Sequence, residues 1–240
     1  MIKKYLKKIK HFKLQISENK VNNYLKQIIE EDFVPNNYTF FTAPKEINLW
    51  GSEYVDYFNE KEKEYNESIF YESSYSREIS YPYSVLNWYC GWHYIHINKY
   101  LRGFSSDEEN KRIEIITEEI NKFALKQYVV CVRRVSNIFF ENYLLKNKKS
   151  KPGVVFSDDA FVSTSLDLFY RKDKESNHRP LKNETLLVLK LEKGINAMYL
   201  EPISKREEYE LLLKNEIEFI IEKSKNVFGN RIVVASSLSE

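Results

Sequence analysis

Cysteine is nearly absent from this 240-residue chain, which has only Cys90 and Cys131. A disulfide scaffold and a four-cysteine zinc site are therefore excluded. Two thiols suit a reducing cytosol, and equally a secreted protein that uses no disulfides. No apolar stretch approaches the ~20 residues of a membrane-spanning helix. The net charge is only +2, so there is no global field for nucleic acid or an anionic membrane. The basic start, "MIKKYLKKIKHFKLQ", is interrupted by lysines and lacks the continuous apolar segment of a secretory signal. Either no signal is encoded or it has been removed. Histidine is scarce as well. His93 and His96 stand three apart on an expected helix, but no third ligand has metal-binding spacing, and His11 and His178 are isolated.

What is present argues against general disorder. Hydrophobic residues make up 42% of the chain, enough for one well-buried domain or two small ones. Aromatics reach 15%, and 18 of them are tyrosine, so many rings must sit half-buried with the hydroxyl reaching a partner.

The region from about Lys3 to Glu31 reads as helical, with Tyr5, Leu6, Ile9 and Phe12 on one apolar stripe. Its lysine-rich face could meet an acidic partner or a membrane surface, but charge runs on helices are usually solvated faces. Residues 1–40 are therefore expected to form a basic helical extension packed on the same domain, and 41–240 the main domain. Pro35 and Pro44 punctuate the following loop. "KEINLWGSEYVDYFNEKEKEY" reads as helix broken at Gly51. Pro82 suits a helix start, Gly103 a helix C-terminal cap, and Glu114 to Leu125 forms a further helix. The texture then changes to β-branched and apolar. "QYVVCVRRVS", "AFVSTSL", "ETLLVLKLEKG", "NAMYLEPIS", "NEIEFIIEKS" and "RIVVASSL" read as successive strands. Helices crowding the first half and strands the second predict an α+β fold rather than alternating βαβ units.

Three local features could carry chemistry. In "SKREEYELLL", Glu208 and Glu210 share one face if the segment is extended, as Pro202 and the downstream alternation suggest. Alone, such a pair is common on solvated surfaces. Arg133 and Arg134 lie within an apolar strand, where a guanidinium needs a carboxylate or a phosphate. Alone, that suggests a buried salt bridge to a glutamate. Ser163-Thr164-Ser165 places three hydroxyls on a strand, where they can orient a carboxylate. Cys131, beside the arginines, reads as packing rather than as a nucleophile.

Together, in this order, the three features resemble those of bacterial mono-ADP-ribosyltransferase toxins with an Arg, Ser-Thr-Ser and Glu-x-Glu signature. The likeness is greatest to the enzymatic components of binary toxins that modify actin, with the Rho-modifying exoenzymes as near relatives. "LWGSEYVDYF" resembles the family's WG-containing helix, and "YIHINKYLRG" its helix end. "VRRVS" resembles the arginine strand, "GVVFSDDAFVSTSL" the approach to Ser-Thr-Ser, and "KGINAMYLEPIS" with "EYELLL" the final pair of strands. The resemblance runs from about Glu46 to the C-terminus. It implies two small, packed, mainly antiparallel sheets with a cleft for NAD as substrate, and no metal. It also implies secretion or delivery into a host cell, a host protein acceptor, and a translocation component as a partner for delivery.

Residue by residue, the resemblance implies that Arg133 grips NAD near its phosphates, with Arg134 as its doubled neighbour. Asn98 and Arg102 match NAD-contacting positions, and Ser163, followed by Thr164, matches the brace of the catalytic glutamate. Glu210 matches that glutamate, and Glu208 the residue that selects the acceptor. A glutamate there goes with arginine acceptors, and a glutamine with the Rho acceptor. A non-catalytic adaptor of the same fold is the alternative from another class, and the intact Arg133, Ser163 and Glu210 set speaks against it. There are departures. Lys205 stands where an aromatic usually meets the target, and Ile138 where a glutamine often contacts NAD. Arg179 is a weak match for a basic position, and Phe169 or Tyr170 is the candidate to stack on nicotinamide.

Overall fold

A computed structural model of the chain describes residues 19–68, 80–106, 109–169 and 184–238. The stripe of Tyr5, Leu6, Ile9 and Phe12 lies outside the described residues, as do His11, Tyr170, His178 and Arg179. Helix α1 covers 19–28 and widens into a π-type turn at Ile29–Phe33. Helices α2 (Pro44–Trp50) and α3 (Ser52–Glu67) follow, separated at Gly51. Side chains crowd that break, since a Cβ on Gly51 would lie 2.3 Å from the Tyr199 ring. Helix α4 (Pro82–Trp88) begins with its proline in the first turn, where no N–H is needed. A kinked π-type turn, Tyr89–His93, leads into α5 (Tyr94–Leu101). Gly103 ends α5 in the left-handed region (φ 71°). There the Phe104 N–H bonds the Lys99 carbonyl at 2.8 Å and the Gly103 N–H the Tyr100 carbonyl at 2.9 Å, a Schellman cap.

Helix α6 is Asn110–Asn121 rather than Glu114 to Leu125. The stretch from Phe123 to Leu125 is drawn into sheet-like pairing instead. The Phe123 carbonyl accepts from the Ala197 N–H, and the Leu125 N–H donates to Ile195.

The strands are β1 (Val129–Ser136), β2 (Val155–Ser157), β3 (Val162–Ser165), β4 (Glu184–Leu191), β5 (Ala197–Tyr199), β6 (Glu210–Leu213), β7 (Glu218–Val227) and β8 (Asn230–Ser237). Strand β2 is too short to read from its pattern and is recognised only by its pairing with β7. The expected strand "NAMYLEPIS" is strand only over β5, because Glu201–Ser204 forms a helical turn, α7, with Pro202 at its start.

The strand order is β2-β7-β8-β4-β1-β3-β6-β5. Only one residue pair, Val132↔Ser165, joins β1 to β3. The eight strands thus form one sheet, whose parts β2-β7-β8-β4-β1 and β3-β6-β5 are joined by that single pair. All pairs are antiparallel except β4 with β8.

One core, including Ile47, Tyr54, Leu86, Ile97 and Ile120, lies between the helices and the sheet. A second places Val21, Leu25, Ile28 and Phe33 of the N-terminal segment on the other face of the larger part of the sheet, against Val130, Val188 and Val234. Lys190 of β4 fastens that segment. Its ammonium lies 3.1 Å from Asp32 and 2.9 Å from Glu222, with side-chain exposure of only 7%. Replacing Lys190 with methionine leaves two carboxylates facing each other, with Lys223 no nearer than 3.9 Å to Asp32. The expected loss is about 3 kcal/mol, read from urea unfolding at pH 7.

Candidate active site

A cleft of about 400 Å³ opens where the two parts of the sheet diverge. If the β1–β3 ladder continued beyond its single pair, Arg133 would face Thr164 and Arg134 would face Ser163. The strands separate there instead, and all four residues line the cleft. Glu208 and Glu210 line it too, while Val21 and Leu25 of α1 and Leu168 with Phe169 supply apolar wall.

Arg133 and Arg134 are consecutive on a strand, so their side chains leave opposite faces. Arg133 reaches Asp158, 2.9 Å from its Nη2. The same carboxylate takes two bonds from Arg102, at 2.8 and 2.7 Å. Asp158 is 2% exposed and each guanidinium 13%, so one buried carboxylate holds two largely buried cations. Burial pushes the Asp158 pKa up, but the bonds from Arg102 and the charge of Arg133 outweigh it and hold the group below its ordinary range. Burial, aided by Arg102, works against the charge on Arg133. The guanidinium nevertheless remains protonated, as arginine does in proteins. Arg134 pairs with Glu184 at 2.6 Å.

The three hydroxyls of β3 are placed differently. The Ser163 hydroxyl stands near enough to the Glu210 carboxylate to favour its ionised form. Thr164 donates to the Leu211 carbonyl at 2.7 Å, and Ser165 to the Glu208 carbonyl at 2.7 Å. Glu210 begins β6 and is buried. Burial raises its pKa to about 7; the Ser163 hydroxyl opposes the shift, Glu208 adds to it, and Arg206 opposes it. Tyr89 lies behind, its hydroxyl accepting from Asn98 at 3.2 Å and its pKa raised by burial and then by the Glu210 charge.

Glu208 and Glu210 share the cleft, but not through an extended segment. Lys205, Glu207 and Tyr209 all have positive φ (50°, 56° and 51°), and none is glycine. The left-handed Tyr209 turns Glu208 back toward the cleft side. Glu201 holds this bend. Its carboxylate accepts the Glu207 N–H at 2.6 Å and the Tyr209 N–H at 2.9 Å. Burial raises the Glu201 pKa, and the neighbouring N–H groups work against that rise.

The structure therefore brings Arg133, Arg134, Ser163, Thr164, Glu208 and Glu210 to one cleft. Arg102 stands behind Arg133 through Asp158, and Asn98 is buried against Tyr89. Sequence reasoning missed Asp158 and Glu201. A buried strand arginine announces a buried anion, and "SDDA" beside the hydroxyl strand was the place to seek it. Nothing in "YLEPIS" announces a loop clamp. Ile138 is 72% exposed and Lys205 is exposed. His93 stacks on Trp88, with ring centroids 4.0 Å apart. Cys131 is fully buried, and burial pushes its thiol up to about 12, which suits packing.

A family model described as ADP-ribosyltransferase exoenzyme matches residues 47–238. No curated protein matches the chain by sequence. Among solved structures, Plx2a, an ADP-ribosyltransferase toxin from Paenibacillus larvae, superposes with a TM-score of 0.60 at 22% identity, over 84% of this chain and 100% of that one. C3stau2 from S. aureus, solved with NAD, gives 0.59 at 16%, over 85% and 99%. BECa, an ADP-ribosylating toxin of a binary enterotoxin of C. perfringens, solved with NADH, gives 0.59 at 18%, over 84% of this chain and 50% of that one.

Proposed function

Because the chain belongs to the ADP-ribosyltransferase exoenzyme family, we propose that it transfers ADP-ribose from NAD to an arginine of a host protein, with actin the leading candidate. One observation carries this reading. A buried carboxylate, Glu210, stands in one cleft with Ser163, an arginine-lined wall and a second, partly exposed carboxylate, Glu208.

Each residue has a chemical task in that scheme. Arg133, backed by Asp158, offers a preorganised cation to the phosphates of the dinucleotide substrate. Breaking the nicotinamide–ribose bond builds positive charge on the sugar. Ionised Glu210, beside Ser163 in the cleft, stabilises that charge as carboxylates do in glycoside cleavage. An arginine acceptor has a pKa above ~12 and is a poor nucleophile until a base assists it. Glu208 holds its guanidinium and takes the proton as the new bond forms. Without an acceptor, water takes its place and NAD is hydrolysed. Delivery into the host cytoplasm, with or without a translocation component, belongs to the same reading.

Glu208→Gln tests it. The variant is expected to lose about 100-fold in transfer to purified actin, while nicotinamide release without acceptor stays within about threefold. The label placed by wild type should be released by hydroxylamine at the rate typical of arginine linkage. Unchanged transfer by the variant, or labelling of a Rho-type GTPase in place of actin, would overturn the acceptor assignment.

A further inference from the structure

We infer that Glu201 is the positioning residue of acceptor transfer: it fixes the backbone that presents Glu208 and leaves the NAD-cleaving group alone. This rests on the role proposed above for Glu208. The two acidic residues of the signature are held by separate means. Glu210 lies within β6, paired to Ser165 across the ladder, with its side chain buried in the cleft beside Ser163. Glu208 lies outside any strand, between Glu207 and Tyr209, both in the left-handed region. Non-glycine residues enter that region at a cost, and three of them within five positions persist only when neighbours impose them.

The Glu201 carboxylate is that neighbour. It lies at the start of α7, six to eight positions upstream, and accepts the N–H groups of Glu207 and Tyr209, the two residues that flank Glu208. Ser165 holds the opposite end of the same residue through the Glu208 carbonyl. Glu208 is thus held from both sides, its two neighbours' N–H groups by Glu201 and its own carbonyl by Ser165. A glutamine at 201 has one oxygen instead of two, and its amide group meets an N–H as donor against donor. The bend should then relax and move the Glu208 carboxylate, whereas the β6 ladder that carries Glu210 is untouched.

The test compares wild type, Glu201→Gln and Ser165→Ala in two assays on the same preparations. One is nicotinamide release from NAD without acceptor. The other is transfer of labelled ADP-ribose to host-lysate protein and to agmatine, a small guanidine. The expected result is a fall of about 100-fold in transfer for Glu201→Gln, with nicotinamide release within about threefold, and the same split for Ser165→Ala. Should Glu201→Gln fail to melt cooperatively, Glu201→Asp, which keeps the charge but withdraws it by one methylene, is read in its place. Transfer and release falling by the same factor, or transfer left unchanged, would overturn the inference while leaving the proposed function intact. If wild type releases nicotinamide but labels neither protein nor agmatine, the transfer reading itself fails, and the inference with it.

Discussion

Replacing Asp158 with alanine is expected to destabilise the fold by about 3–5 kcal/mol, the usual consequence of stranding buried charge. Arg102 and Arg133 would be left facing each other, each with a side-chain exposure of 13% and no anion between them. Their mutual repulsion already opposes the charge on Arg133. The loss should appear as a lower denaturation midpoint with an unchanged slope. Because the folded-state pKa of Asp158 is depressed, the stabilisation it supplies is present above the unfolded value near pH ~4 and fades as pH falls through the folded value. The difference between variant and wild type should therefore narrow in acid. A midpoint shift below about 1 kcal/mol would show that the carboxylate is not the keystone of the arginine pair.

Glu210→Gln is expected to reduce nicotinamide release by about 1,000-fold, since a neutral amide cannot stabilise the cation forming at the ribose. Its effect on stability should have the opposite sign to that of Asp158→Ala. The Glu210 pKa is raised by burial to about 7, so the folded state pays for ionising it. The raised pKa contributes stability that is full below the unfolded value near ~4.3 and is lost as pH climbs through about 7. At pH 8 the wild type has lost it, while the variant has no carboxyl to ionise. Glu210→Gln should then be more stable than wild type at pH 8, by up to about 3 kcal/mol, and equal to it near pH 4. An inactive but stabilised variant separates a catalytic role from a structural one. Lower stability at pH 8 would contradict the assigned burial.

The outline of this molecule was legible because its signals are local. Pro82 and Gly103 mark helix ends by backbone chemistry alone, and the apolar runs of β1, β4 and β8 read as buried strands. The residues that share the cleft were singled out through the order of motifs that resembles the family, because alone each feature reads as a buried salt bridge, a hydroxyl-rich strand or a solvated acidic pair. What escaped depends on pairing across the chain. Strand β2 has three residues and exists through β7. Asp158 is defined by two arginines, 56 and 25 positions away. The bend before β6 was expected to be extended, since left-handed backbone at Lys205, Glu207 and Tyr209 has no signature without glycine. Only the fold brings Glu201 back onto it.

The account depends on an ionised Glu210 in the cleft, and the pH dependence of kcat/KM for nicotinamide release measures it most directly. In wild type the value should rise with a single ionisation near pH 7, that of the free enzyme, and then level off. Glu210→Gln should give a flat, low line across the same range. A wild-type profile that does not change from pH ~5 to ~9, or a variant that retains the wild-type rate, would contradict it.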